Sequence, residues 1–247
     1  MYIYNFTLKT YLGTREEQQD YAYVGDEKGI VFAVLCDGMG GHLGGSIASK
    51  TAVKSFVKRF RETELNNIPN FYLHTVEEVN NTIYNLRDNN NKRLNAGSTI
   101  VSVIIKENKL YWLSIGDSRL YIIRDGKIMQ ITKDHNYMVI LNNLLKENKI
   151  DVSDYSNRLA KGNSLISHLG MPELDIIDIN IEPLDLKNND ILILMSDGLY
   201  KLLSDSQILE YSYMPINDYA SKLYDLVIQV NTESKDNTTF IIIKAGD

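Results

Sequence analysis

Two hydrophobic periodicities divide the chain. Short runs rich in β-branched and aromatic residues, "YIYNFTLKT", "DYAYV", "IVFAVLCD", "STIVSVIIKE", "KLYWLSIGD", "RLYIIRD" and "KIMQIT", predict strands through the first half. Turn chemistry separates most of them. "KENK" and "RDGK" read as hairpin connections, and Asp125-Gly126 suits a type I′ loop. Successive hairpins predict antiparallel meanders instead of a doubly wound parallel sheet.

After the first glycine cluster the period lengthens. Ala48, Ala52, Phe56 and Phe60 recur at spacing four with Val53 and Val57 beside them, and Lys50, Lys54 and Lys58 line another face, which predicts an amphipathic helix. A second helix is expected over about 72–94, with Val76, Val79, Ile83 and Leu86 on one side. From about 135 to 160 the pattern blurs, and only "MVILNNLLKEN" reads as helical. Beyond it come the expected strands "LDIIDINIE" and "DILILMSD" and a helix opening at Ser204 with Gln207 at capping-box spacing. A last helix carries Ala220, Leu223, Val227 and Val230 on one face, and "TTFIIIKAG" predicts the closing strand. No linker-like stretch and no internal repeat interrupts this order, so residues 1–247 are expected to form a single domain.

Composition narrows the possibilities. With 247 residues and 44% hydrophobic content, the chain can bury a substantial core. A net charge of −6 without any basic block argues against a nucleic-acid partner. Cys36 is the sole cysteine and lies inside an apolar run, so it is expected to be core packing in a reducing compartment. The N-terminus lacks a basic and apolar leader, and no run reaches the roughly 18 apolar residues of a membrane span. A cytoplasmic protein with no membrane partner, acting as a monomer, is the expectation.

The chemistry lies where apolar strands meet acids. "VFAVLCDG" ends at Asp37-Gly38, "LYWLSIGDS" at Asp117, "ILILMSDG" at Asp197-Gly198, and Asp236 stands just before the final strand. If those ends lie together, carboxylates converge and repel unless protons or cations intervene. Oxygen-only ligands argue for Mn²⁺ or Mg²⁺ and against zinc. The glycines after Asp37 and Asp197 would let the backbone turn sharply beside an ion.

The series "GTREEQQDYA", "VLCDGMGGHLGG", "AGSTIVSVII", "LSIGDSRLYIIRDGKIMQITKDH", "ILILMSDGLYKLLSD" and "SKDNTTFIII" resembles, in order and along nearly the whole chain, the bacterial branch of the metal-dependent serine/threonine protein phosphatases of type 2C, the PPM family. The resemblance implies an α+β fold, a four-layer α/β/β/α sandwich of two antiparallel sheets flanked by helices. It implies that Asp37 bridges two Mn²⁺ or Mg²⁺ ions, that the Gly38 carbonyl contacts the second, and that Asp197 and Asp236 complete the first. Asp117 would join Asp197 around a weaker third ion. Arg15 matches the arginine that holds the substrate phosphate, and Asp20 the acid that orders the surroundings of the metals. The implied reaction is hydrolysis of phosphoserine or phosphothreonine in proteins by a water shared between two ions, without a phosphoenzyme, opposing a cognate Ser/Thr kinase.

Several positions depart from that pattern. Gln19 stands where the family usually has Glu, which removes a charge near the second ion, and His168 replaces an arginine. Met39 occupies the place of a histidine proposed as general acid in eukaryotic members; His42 is read as part of a turn and His135 as a structural hydrogen-bonder. Residues 136–163 correspond to the flap beside the active site, which varies among relatives. Gln19 and His168 motivate the alternative, a catalytically weak pseudophosphatase serving as a regulatory binding module.

Overall fold

The computed structural model describes residues 2–41 and 44–246. Its strands are β1 (Tyr4–Tyr11), β2 (Asp20–Glu27), β3 (Ile30–Met39), β4 (Gly97–Ser98), β5 (Ile100–Lys106), β6 (Lys109–Ile115), β7 (Arg119–Arg124), β8 (Lys127–Gln130), β9 (Asp178–Ile179), β10 (Leu184–Asp185), β11 (Ile191–Met195) and β12 (Thr238–Ala245). The helices are α1 (Gly44–Glu62), α2 (Ile68–Tyr84), α3 (Tyr137–Lys146), α4 (Val152–Arg158), α5 (Asp197–Tyr200), α6 (Asp205–Glu210) and α7 (Ile216–Gln229). One antiparallel sheet runs β1-β12-β11-β7-β8; the other runs β10-β6-β5-β3-β2, with β4 on β3 and β9 on β6.

The alternation of side chains across each strand builds the layers. Along β3, Val31, Ala33 and Leu35 face β11 and β12 through Leu192, Leu194, Ile241 and Ile243. Phe32, Val34 and Cys36 face the other way, into α1 and α2, where Phe32 stacks on Phe60 with ring centroids 4.4 Å apart. The outer face of the first sheet, with Ile193, Met195, Phe240 and Ile242, is covered by α6 and α7 through Ile208, Tyr219, Leu223 and Val227. This is the four-layer sandwich. Both faces of the central strands are dry, which is why "VFAVLC" is apolar at every position. Cys36 is fully buried among these side chains.

Both hairpin turns take the expected form: Asp125 and Gly126 have φ of 51° and 70°, and Glu107 and Asn108 have 55° and 62°. The capping box at Ser204 and Gln207 is present. Three expectations need correction. The second helix starts at Ile68 and stops at Tyr84, not near Leu94; Asn85 caps it, and the polar "RDNNNK" that follows forms a turn closed by the Arg87–Arg93 bridge. Of "LDIIDINIE" only Asp178 and Ile179 pair, and just two β6 residues receive them. Within 136–163 a second helix, α4, starts at the N-cap Asp151; it buries no side chain, so it left no apolar period to read. Among the described residues no helix is long and apolar enough to cross a membrane.

A buried ion pair holds the end of the sandwich away from the acids. Asp190, 2% exposed, accepts from Arg124 Nε at 2.8 Å, again from Arg124 Nη2, and from the Lys187 amide at 2.7 Å. Asp190→Ala strands a half-buried guanidinium and an amide, so a loss of about 2–3 kcal/mol in urea unfolding is expected. A change below a few tenths would show the pair to be incidental.

Candidate metal centre

The antiparallel order puts the acids at one end. β3, β6 and β11 run toward that end, and β2, β7 and β12 start from it. The β1–β2 connection, which carries Arg15, lies there too. Arg15, Asp37, Gly38, Met39, Asp117, His168, Asp197 and Asp236 therefore line a single cleft of about 770 Å³, with Gln19 and Thr99 in its wall. Asp20 is only 3% exposed and sits behind the lining. His42 lies outside the described residues.

Asp20 and Asp37 stand directly opposite each other across β2 and β3, a like-charge placement that costs stability if both ionise. Burial, then Asp20, Asp197, Asp117 and Asp236, push the Asp37 carboxyl well above the usual range. Burial, opposed by a Ser196 hydrogen bond and reinforced by Asp197 and Asp236, raises Asp20 to about 7. Asp117 is raised to about 6, chiefly by burial and then by Asp197. The carboxylates thus lie close enough to perturb one another.

The scaffold around them is specific. Ser196, between β11 and Asp197, donates to Asp20 Oδ2 at 2.8 Å and accepts from the Thr239 amide at 2.9 Å, tying one sheet to the other. Thr99 Oγ1 accepts from the Asp37 amide at 3.0 Å. Tyr200 donates to the Asp117 carbonyl at 3.0 Å while Arg119 lies 3.6 Å over its ring. Asn237 accepts from the Gln19 amide and donates to the Leu12 carbonyl, both at 2.8 Å, stapling the Arg15 loop to the start of β12. Arg15 Nη2 meets Asp236 Oδ2 at 2.8 Å, and Lys201 pairs with Asp197.

The two Asp-Gly glycines work differently from the sequence expectation. Neither Gly38 nor Gly198 has a positive φ. Space is the constraint: a Cβ on Gly38 would fall 2.1 Å from the Gly45 carbonyl oxygen, and one on Gly198 would fall 2.1 Å from that of Asn237. Their role is close backbone approach.

The donor set fits hard divalent cations. Asp197 Oδ1 and Asp20 Oδ1 are buried without a hydrogen-bond partner, a costly arrangement that a cation beside the carboxylates relieves. Among the described residues no three acidic, histidine or cysteine side chains already form a closed cluster; the acids line the cleft walls, two of them held by Arg15 and Lys201. His135 is buried, its Nδ1 accepts from the Gly116 amide at 3.2 Å, and burial lowers its pKa. His168 Nδ1 bonds the Leu169 carbonyl at 2.9 Å.

Ser196, Thr99, Asn237 and Lys201 escaped sequence reasoning. The first three are ordinary polar residues whose importance depends on partners far away in the chain. For Lys201 a signal existed: it follows Asp197 at spacing four, which brings two side chains together once Asp197 opens a helix.

Known proteins share this fold. A protein phosphatase from Streptococcus pneumoniae, PhpP, is 30% identical over 94% of this chain and 94% of its own. The structure of the S. agalactiae serine/threonine phosphatase superposes with a TM-score of 0.84 at 28% identity, covering 98% of this chain and 99% of that one. The catalytic domain of the serine/threonine protein phosphatase PstP, solved with 2 manganese ions, gives 0.79 at 25% identity, with both chains fully covered. The family model described as protein phosphatase 2C matches residues 12–237, and the chain belongs to that family.

Proposed function

We propose that the chain is a Mn²⁺- or Mg²⁺-dependent phosphatase that hydrolyses phosphoserine and phosphothreonine in proteins and opposes a Ser/Thr kinase. The observation that carries this reading is the meeting of Asp37, Asp117, Asp197 and Asp236 with Arg15 in one cleft. The PstP complex with 2 manganese ions supports the choice of metal. Asp37 and the Gly38 carbonyl would hold one ion, and Asp37, Asp197 and Asp236 the other. Bound there, the pair would supply Lewis acidity toward the phosphoryl oxygens and would lower the pKa of water.

The chain's own groups bind and orient. Arg15, half exposed and already reaching Asp236, offers a planar fork of donors to a phosphate at the cleft mouth. Asp20 is held behind the cleft by the Ser196 hydroxyl, which donates to its Oδ2. Asn163, with Leu165 just beyond it, brings the end of the 136–163 segment to the cleft, and that segment is proposed to set substrate choice.

Phosphate release from a phosphothreonine peptide is expected with Mn²⁺ and not with EDTA. A folded chain that releases none in saturating Mn²⁺ would instead be a regulatory binding module. Arg15→Ala is expected to lower kcat/KM about 10- to 100-fold, mainly through KM, with an unchanged melting temperature. An equal fall in a variant with normal KM would place Arg15 outside phosphate binding.

A further inference from the structure

Lys201 brings a positive charge among the acids. It follows the single turn of α5, so its ammonium reaches back to Asp197 Oδ2. Asp197 thereby divides its oxygens: Oδ2 goes to the lysine, while Oδ1 is buried with no hydrogen-bond partner. The lysine side chain is 42% exposed and lies in the cleft wall. As a lysine it carries a positive charge at neutral pH.

We infer that the Lys201 ammonium takes the place of a third divalent ion between Asp117 and Asp197, so that the cleft saturates at two ions. This rests on the metal-dependent reading above. A divalent ion on Asp197 Oδ2 would have to displace a cation tethered four residues away, whose effective concentration no dilution lowers. Asp197 Oδ1 meets no such competitor and would stay available to a core ion. The lysine gives one positive charge that is tethered to the chain and a hydrogen bond to Asp197, but it offers no coordination site to water or substrate.

The test counts bound metal. The EDTA-treated and dialysed full chain is titrated with Mn²⁺ by calorimetry, and bound Mn²⁺ is counted by equilibrium dialysis for wild type, Lys201→Met and Lys201→Arg. Two ions are expected for wild type and for Lys201→Arg. Lys201→Met should take up a third, bound at least about tenfold more tightly than any further ion in wild type. Three ions in wild type overturns the inference whatever the variants do, as does Lys201→Met remaining at two while keeping the wild-type melting temperature. Wild type binding no Mn²⁺ removes the metal reading and the inference with it, whereas binding two or three leaves that reading standing and decides the lysine alone.

Discussion

Asp37→Asn is expected to lower Mn²⁺-dependent phosphate release by about a thousandfold or more, the ~4 kcal/mol scale of a lost centre of charge stabilisation. The same substitution should raise the melting temperature in EDTA. Asp37 faces Asp20 across the strand pair, and burial with four neighbouring carboxylates disfavours its ionised form. An amide of the same shape removes that repulsion. It also leaves the main-chain anchors in place, since the Asp37 amide donates to Thr99 Oγ1 and its carbonyl accepts from the Thr99 amide at 2.8 Å. A gain of about 1 kcal/mol, or ~2–4 °C for a chain of this size, is the expected scale. Phosphate release at the wild-type rate would remove Asp37 from the reaction. A loss of activity accompanied by a fall in melting temperature would make its role structural.

The second large effect is a pH dependence that reverses with metal. Asp20 is raised from 3.8 to about 7 by burial, and Asp117 to about 6 for the same leading reason. Between the unfolded and folded values these groups keep a proton in the folded chain that the unfolded chain has released. The stability that Asp20 and Asp117 contribute without metal is therefore fully present below about pH 4 and is lost as pH rises through about 6 to 7. Asp20's own share of that loss is at most about 4 kcal/mol, at ~1.36 kcal/mol per unit. Divalent ions select deprotonated carboxylates, so saturating Mn²⁺ should stabilise the chain increasingly as pH rises. Thermal melts at about pH 5.5 and 7.5, in EDTA and in Mn²⁺, read both slopes. A flat profile in EDTA would mean that the acids are not coupled through burial.

Much of this site could be read from local pattern. A strand covered on both sides shows an unbroken apolar run, and the residue that ends it is conspicuous when it is an acid, which is how Asp37 and Asp197 stood out. Hairpins announce themselves through turn residues, as at Asp125-Gly126. Where side chains remain half in water the signal fails: α4 buries nothing, and "LDIIDINIE" has the composition of a strand but only a two-residue partner. The apolar spacing of α2 overruns the helix because Leu86 continues it past Asn85, which caps the helix.

Strand and helix periods, the oxygen-only chemistry of the acids, the family resemblance and the candidate positions of Arg15, Asp20, Asp37, Gly38, Asp117, Asp197 and Asp236 are all legible in the order of residues. Those properties reside in single residues and their near neighbours. Tertiary structure alone decided that Ser196 bridges the sheets to Asp20, that Asn237 fastens the Arg15 loop, and that Gly38 and Gly198 serve close approach instead of a turn. It also decided that Lys201 enters the cleft as a cation beside Asp197. Each of these depends on which strand ends meet in space, and that is fixed by burying both faces of two sheets at once, a condition no local stretch of chain contains.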